Sequence, residues 1–323
     1  MNHDGSLGIA ERMVDVAADC GADAVKFQLH DAGAETTASA PSPPYFEAEP
    51  RFAYFERTAF TDDAWRALRR RCQDRKVEFV CSPFSVEAVE RLEEVGVDRY
   101  KVASGEVTNL PLLARLAATG RPVLLSSGMS SWDELDAAVD ALRSGGPLTV
   151  LQCTSEYPCP PERVGLNVML EMRERYGLPV GLSDHTLGTA ASIAAVTLGA
   201  AVIERHFTLS KLLYGPDAAM SLEPAELAAL VRGIREVEQI LASPVDKSDV
   251  GGLRAMKEVF EKSVVALEPI PAGTVLEERM LGAKKPGTGI PARRLAELVG
   301  LRAARPISAD SVLTEEDVEG VGP

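Results

Sequence analysis

Seven short apolar runs separated by amphipathic helices constrain this chain more than any other feature. The runs fall at residues 23–29, 77–82, 99–104, 122–127, 148–154, 179–183 and 201–206. Helical periodicity lies between them and at both ends, for example at 7–18, 61–75, 86–94, 110–118, 132–144 and 224–241. Strict alternation of strand and helix predicts a parallel sheet covered by helices. Eight such units close a (β/α)8 barrel, and this chain starts on a helix with no strand before it. The expectation is a TIM barrel lacking its first strand, so that runs 23–29 and 201–206 form two unpaired edges. A doubly wound open sheet is the alternative, but no glycine-rich turn of the dinucleotide-binding type follows any run.

Polar residues gather where the runs end. The stretch V-G-L-S-D-H-T at 180–186 and the stretch V-I-E-R-H-F-T at 202–208 each carry one of the four histidines. Side chains alternate along a strand, so Ser183 and His185 share one face and Glu204 and His206 share the corresponding face of the next. A helix at 187–198, about four turns long, would return the chain so that the two strands are parallel neighbours. A single histidine at a strand end is commonly just a hydrogen-bonded edge residue. Two at one rim, flanked by Asp184 and Glu204, suit a divalent metal with open positions: Mn²⁺, Zn²⁺ or Fe²⁺ by ligand type. No other histidine is expected at a strand end, which leaves His185 and His206 as the only protein ligands.

A second group has anion chemistry. Lys26 and Gln28 share a face of the run V-K-F-Q, and Lys101 precedes Ser104 and Glu106 in Y-K-V-A-S-G-E. A lysine inside a barrel is costly unless it meets a negative charge. Ser82, Ser126, Ser127, Ser155 and Tyr157 add hydroxyls at matching strand ends. Some of these serines would serve equally well as caps of the helices that follow. Between the first two strands lies an insertion at 32–58, rich in Pro, Ala and Glu, whose Tyr45, Phe46, Tyr54 and Phe55 favour a packed loop over the rim.

The net charge of −14 argues against a nucleic-acid partner, which needs clustered basic residues. Five cysteines form no CxxC pair, as in a reducing compartment. No apolar run approaches membrane-spanning length, and no leader-like segment opens the sequence, so a cytoplasmic protein without membrane contact is expected. Polar and glycine-containing residues at 243–252 begin a linker, taken to span 243–262. The catalytic domain is therefore expected at 1–242 and a small β-rich domain at 263–323, with strand-like runs from Ser263 and at 274–281 and a short helix at 292–299. Some 60 residues make a meagre core, so this tail is expected to lean on another surface.

The motifs in order, V-K-F-Q, S-P-F-S, Y-K-V-A-S-G-E, S-S-G-M-S, C-T-S-E-Y-P, G-L-S-D-H-T, E-R-H-F-T, G-P-D, S-L-E-P and K-P-G-T-G-I, resemble the sialic acid synthases. These enzymes condense phosphoenolpyruvate with an N-acylated amino sugar to give N-acetylneuraminate or a related nonulosonate. The resemblance runs from Asn2 to about Glu319. It implies a TIM barrel followed by an antifreeze-like (SAF) domain, in a domain-swapped homodimer whose small domain closes over the partner's barrel. It implies Mn²⁺ or Mg²⁺ on His185 and His206. Phosphoenolpyruvate would lie among Lys26, Ser82, Lys101, Ser104, Ser126, Ser155, Tyr157 and Ser183. Gln28, Glu106, Tyr157, Asp217 and a tail residue, here Lys285, would hold the sugar, while Glu204 would handle protons or orient metal-bound water.

Three positions depart from the family pattern. Its first strand ends in a Glu before an N-H-x-G turn, of which only Asn2, His3 and Gly5 are present. Ser155 replaces the Asn common in N-acetylneuraminate synthases, and Lys285 replaces an Arg that contacts the N-acyl group, without its bidentate geometry. The acceptor is expected to be N-acetylmannosamine or a related nonulosonate precursor. Alternatives are another phosphoenolpyruvate-condensing or aldolase-type barrel enzyme, or a sugar-binding homologue without catalysis.

Overall fold

The computed structural model describes residues 1–37, 39–41 and 49–322. It divides into two compact units, Met1–Ser243 and Pro244–Pro323.

The first unit begins with α1 (Leu7–Asp19) and β1 (Ala24–Leu29). Two helices of the insertion follow, α2 (Ala32–Glu35) and α3 (Arg51–Thr58), and then α4 (Asp62–Arg75). From there strand and helix alternate: β2 (Glu78–Pro83), α5 (Val86–Val95), β3 (Arg99–Val102), α6 (Leu110–Thr119), β4 (Val123–Ser126), α7 (Trp132–Leu142), β5 (Leu148–Cys153) and α8 (Leu166–Tyr176). The unit ends with β6 (Val180–Asp184), α9 (Ala190–Thr197), β7 (Val202–Arg205) and α10 (Pro224–Ala242).

Local chemistry sets many of these boundaries. Thr61, Ser85 and Asn109 each accept a backbone N–H of the helix they cap, from Ala64, Ala88 and Leu112. Ser131 and Glu134 form a reciprocal capping box at the start of α7. Each such cap contributes about 1 kcal/mol by satisfying a donor that the helix cannot.

All seven strands are parallel and adjacent in chain order, from β1 at one edge to β7 at the other. Among the described residues β1 and β7 pair with no further strand on their outer sides, so the curled sheet is of the (β/α)8 kind and open between them. The core lies between strands and helices, where Phe79, Tyr100, Leu125, Leu68, Leu92 and Leu113 are fully buried. Burial of each such side chain stabilises the fold by about 1.5–3 kcal/mol. The opposite strand face points into the barrel and is unusually polar, carrying Lys26, Ser82, Lys101, Ser126, Ser183 and Glu204.

Some expectations need correction. The helix between the two histidines is Ala190–Thr197, about two turns instead of four, because Leu187, Gly188 and Thr189 belong to the turn leaving β6. The insertion contributes helix α3, with Tyr54 and Phe55 buried, while Tyr45 and Phe46 lie outside the described residues. In the second unit, β8 (Ser263–Ala266) and β9 (Leu281–Lys284) pair antiparallel, and of the 274–281 run only Leu281 lies in a strand, while Val275 makes an isolated bridge to Arg302. The segment expected to be linker holds α11 (Arg254–Phe260), and the expected helix at 292–299 is a 3-10 turn followed by α12 (Leu295–Leu298). Val264, Ile270, Leu276, Ile290, Leu298 and Leu313 form this unit's own core.

Candidate active site at the open rim

Three charged side chains from three strands meet inside the barrel. Glu204 of β7 stands 3.8 Å from the ammonium of Lys26 on β1 and 3.8 Å from that of Lys101 on β3. Lys101 donates to the Ser126 hydroxyl at 2.6 Å and to the Val102 carbonyl at 3.0 Å, and Ser183 donates to Glu204 at 2.7 Å. Burial would raise the Glu204 carboxyl, but the two lysines hold it down to about 2. Burial also lowers Lys101, opposed by the Glu204 charge. Two cations share one carboxylate at this point of the barrel. Ser82, fully buried on β2, has no hydrogen-bond partner among the described residues. A buried hydroxyl left unpaired costs about 1–3 kcal/mol, which an incoming acceptor would offset.

The next strands add a concave surface. A methyl group at Gly128 would come within 2.5 Å of the Ser155 hydroxyl, 2.6 Å of the Ser104 hydroxyl and 2.9 Å of the Cys153 sulfur. Only glycine leaves these groups room to converge, and its N–H donates to Ser104 at 3.1 Å. Burial works against ionising the Cys153 thiol, yet His185 beside it and the Ser104 hydroxyl at 3.6 Å draw it below its ordinary range. Glu106 follows Ser104 in a 3-10 turn; burial raises its carboxyl although Asn109 donates to it at 2.9 Å. Ser127, in contrast, is occupied by the Leu151 carbonyl at 3.2 Å.

The two histidines leave β6 and β7 side by side, held by the register Ser183 to Glu204 and Asp184 to Arg205. Their ring centroids are 5.3 Å apart. His185 Nδ1 lies 2.8 Å from the Thr154 carbonyl, which can only accept, so Nδ1 carries the proton. Its other nitrogen is then the one available to a ligand. Tyr157 packs 4.3 Å from the His185 ring, and Asp217 stands 4.0 Å from His206 Nδ1. Burial lowers His206 to about 4, keeping it neutral at pH 7. Asp217 falls to about 2: burial opposes this, but the Met1 ammonium at 3.1 Å and His206 favour the carboxylate. Among the described residues no group of three or more metal-ligating side chains occurs. The donor set at this rim is the pair of imidazoles, which in their neutral forms could hold an ion whose other positions are open to water or substrate oxygens.

A cavity of about 540 Å³ opens between β1 and β7, with Lys26, Gln28, Glu204, His206 and Asp217 on one part of its wall and apolar residues of α1 and α10, such as Ala17, Leu227 and Leu230, on another; Lys101, His185 and the groups around Gly128 are not on that wall. That volume suits a small polar metabolite. Lys285 belongs to the second unit, where its ammonium lies 4.9 Å above the Phe260 ring.

One statement from sequence fails. A third histidine does stand at a strand end: His30 directly follows β1. It is engaged elsewhere, stacked between Phe55 at 3.7 Å and Phe84 at 4.0 Å with both oxygens of Glu35 on Nδ1. Sequence reasoning also passes over Cys153, Gly128 and Thr154. The C-T-S and S-S-G-M motifs contain them, but only the packing of β3, β4 and β5 brings them together.

Residues 13–246 match the model of the NeuB family, and residues 261–319 match that of the SAF domain. The chain is 35% identical to N,N'-diacetyllegionaminic acid synthase of Campylobacter jejuni, over 98% of this chain and 97% of the relative. It is 39% identical to N-acetylneuraminate-9-phosphate synthase of Homo sapiens, over 99% of this chain and 91% of the relative. Among solved structures, an N-acetylneuraminic acid synthetase from Leptospira borgpetersenii in complex with citrate superposes with a TM-score of 0.69. That pair is 31% identical, covering 79% of this chain and 86% of the other.

Proposed function

Since the chain belongs to the NeuB family, we propose that it condenses phosphoenolpyruvate with the open-chain form of an N-acylated amino sugar, giving a nonulosonate and inorganic phosphate. The observation that carries this reading is the shared carboxylate: Glu204 stands between Lys26 and Lys101, and Lys26, Glu204 and His206 lie on one cavity wall.

An incoming phosphate or carboxylate would meet Lys26, Lys101, the free Ser82 hydroxyl and the Ser104–Ser155 cradle around Gly128. Charge-assisted contacts of this kind hold the enol carbon in one orientation, the main requirement for a bimolecular addition. The enol carbon forms a bond to the sugar's aldehyde carbon, whose oxygen takes up a proton. Water adds to the resulting cationic carbon, and phosphate departs as the keto group forms. Glu106, raised by burial, keeps a proton to higher pH than an ordinary carboxyl, whereas Glu204 at about 2 is suited to keeping the lysines charged. A divalent cation, Mn²⁺ or Mg²⁺, would be held by His185 and His206 and would polarise the aldehyde. Gln28, Glu106, Tyr157 and Asp217 would hold the sugar, Gln28 and Asp217 from the cavity wall. The 35% identity to a diacetyllegionaminic acid synthase and the presence of Ser155 support acceptors beyond N-acetylmannosamine.

The same reading includes a homodimer in the cytoplasm. Supporting the first are Leu253, Met256, Val259 and Phe260, all exposed at or beside α11 (55%, 58%, 58% and 56%) and thus available to a second copy. Supporting the second are five cysteines, all free, in a chain where no described helix is long and apolar enough to cross a membrane.

The deciding experiment incubates the protein with phosphoenolpyruvate, Mn²⁺ and a panel of acceptors: N-acetylmannosamine, its 6-phosphate and a diacetamido-hexose. Phosphate release and a nonulosonate mass with one acceptor are expected. Acceptor-independent phosphate release, or no product with any of them, would overturn the reading. Light scattering at a monomer mass would remove the dimer.

A further inference from the structure

Behind the rim, on the strand face opposite Ser183 and Glu204, one guanidinium ties the two histidine-bearing segments together. Arg205 immediately precedes His206, and Asp184 immediately precedes His185. Arg205 Nη1 donates to Asp184 Oδ2 at 2.6 Å and to the Gly188 carbonyl at 2.7 Å, while Nη2 donates to the Thr186 carbonyl at 2.5 Å. Asp184 also accepts from the Thr186 N–H at 2.9 Å and from the Ser192 hydroxyl at 2.5 Å. The side chain before one histidine thus grips the residues on either side of the other.

The pair is buried, with side-chain exposures of 4% for Arg205 and 0% for Asp184. A buried ion pair is seldom retained for stability, because apolar residues of similar size often serve as well or better. What it supplies is a fixed geometry. A fork of donors on two carbonyls and a carboxylate allows one arrangement, which a lysine cannot reproduce. Such fixing matters most here, since β7 has a hydrogen-bonded strand on one side only and its four residues are all half-buried.

We propose that Arg205, paired with Asp184, is the positioning residue that sets His185 against His206 as a two-imidazole site. This rests on the reading above that the two rings hold the divalent cation of a synthase. Asp184 is not on the cavity wall, and the Arg205 side chain, 4% exposed, is engaged by Asp184, Thr186 and Gly188. Both act through the backbone that carries the rings.

The test uses Arg205→Lys, which keeps the charge and loses the fork, and D184L/R205M, which replaces the pair by apolar residues and preserves the fold if the single variant does not. Mn²⁺ affinity, read by electron paramagnetic resonance on the full chain, should fall about 10–100-fold in both. Phosphoenolpyruvate binding to the metal-free protein should stay within about twofold, because Lys26 and Lys101 lie on other strands. kcat should fall with the KM for phosphoenolpyruvate unchanged. Long-range ¹H–¹⁵N spectra of the metal-free protein should show the ring signals of His185 and His206 displaced together and those of His3 and His30 in place. Wild-type Mn²⁺ affinity with unmoved ring signals in both variants would overturn the proposal. If the wild type itself binds no Mn²⁺, the metal reading falls instead, and the ring spectra alone decide: displaced signals uphold the brace, unmoved signals remove it.

Discussion

β6 and β7 are hydrogen-bonded neighbours with unlike surroundings. Every residue of β6 is buried and every residue of β7 is half-buried, and the same contrast separates fully buried β4 from largely half-buried β1. The inner strands have neighbours on both sides and helices over one face, so they carry the apolar contacts that hold the sheet. The edge strands contribute Lys26, Gln28, Glu204 and, just beyond β7, His206, all bordering the cavity. Chemistry is concentrated where packing is thinnest. The difference teaches that stability and activity should be separable here by strand, with the candidate groups on or beside inner strands, Ser82, Lys101, Ser126, Ser183 and His185, as the exceptions; Lys101 is 4% exposed.

The strongest way to break that comparison is at the histidines. His206→Ala, at the edge, and His185→Ala, beside an inner strand, should each reduce turnover by more than the roughly 100-fold typical of losing a mere outer partner of a metal ligand. His206→Ala should shift folding stability by about 1 kcal/mol or less, since it removes no packed apolar group. Steady-state kinetics beside urea unfolding would show it. Full activity in His206→Ala would remove the site, and a large loss of stability would remove the separation.

Leu125→Ala makes the opposite test. Leu125 is fully buried on β4, facing the helices. Its truncation should cost about 2–5 kcal/mol of stability through lost burial and an unfilled cavity. Turnover per folded molecule should be unchanged at a temperature where the variant remains folded. A specific loss of activity would mean that the core and rim are coupled.

Much of this division is legible in the amino-acid sequence. Period-two polarity puts Ser183 with His185 and Glu204 with His206, and caps such as Thr61, Ser85 and Ser131 mark helix starts. Less legible is anything requiring two distant segments. The helix after His185 is short because Arg205 engages the backbone of the preceding turn at Thr186 and Gly188, and a contact made across two strands leaves no periodic trace. His30 has the alternation of a rim residue, continuing Lys26 and Gln28. Phe55, from the insertion, and Phe84, after β2, remove it from the site, and neither position signals this in sequence. Gly128 reads as a turn glycine, and its role emerges only beside Ser104 and Ser155.

The lysines sharpen the comparison at smaller amplitude. Lys101→Ala should weaken phosphoenolpyruvate binding by about 1.5–3 kcal/mol, the scale of a charge-assisted contact. Lys26 is 25% exposed and better screened, so Lys26→Ala should cost less. Titration calorimetry at two salt concentrations separates them: the Lys26 effect should shrink with added salt, the Lys101 effect much less. Equal salt dependence would place both lysines in the same dielectric surroundings and end the contrast between edge and interior.

The smallest effect separates the two imidazoles by pH. Burial lowers His206 to about 4 from an ordinary 6.5, whereas His185 is raised: burial opposes this, but the neighbouring Cys153 and the Thr154 carbonyl prevail. Between pH 6.5 and 4 an unfolded His206 binds a proton that the folded one refuses, so this residue's contribution to stability is lost as pH falls through that window. His185 runs the other way, contributing most below its unfolded value and losing that contribution as pH rises. His3, lowered to about 4, and His30, lowered by burial, add to the His206 trend, and the depressed Glu204 and Asp217 act only further down, toward about 2. Metal-free protein should therefore unfold more readily in urea at about pH 4.5 than at about pH 7, each lowered histidine adding at most ~1.4 kcal/mol per pH unit to the slope. His206→Gln should flatten that slope. His185→Gln should steepen it, because the opposing group is gone. If both substitutions change the slope in the same direction, the two rings share one environment, and the contrast between edge and interior does not extend to the histidines.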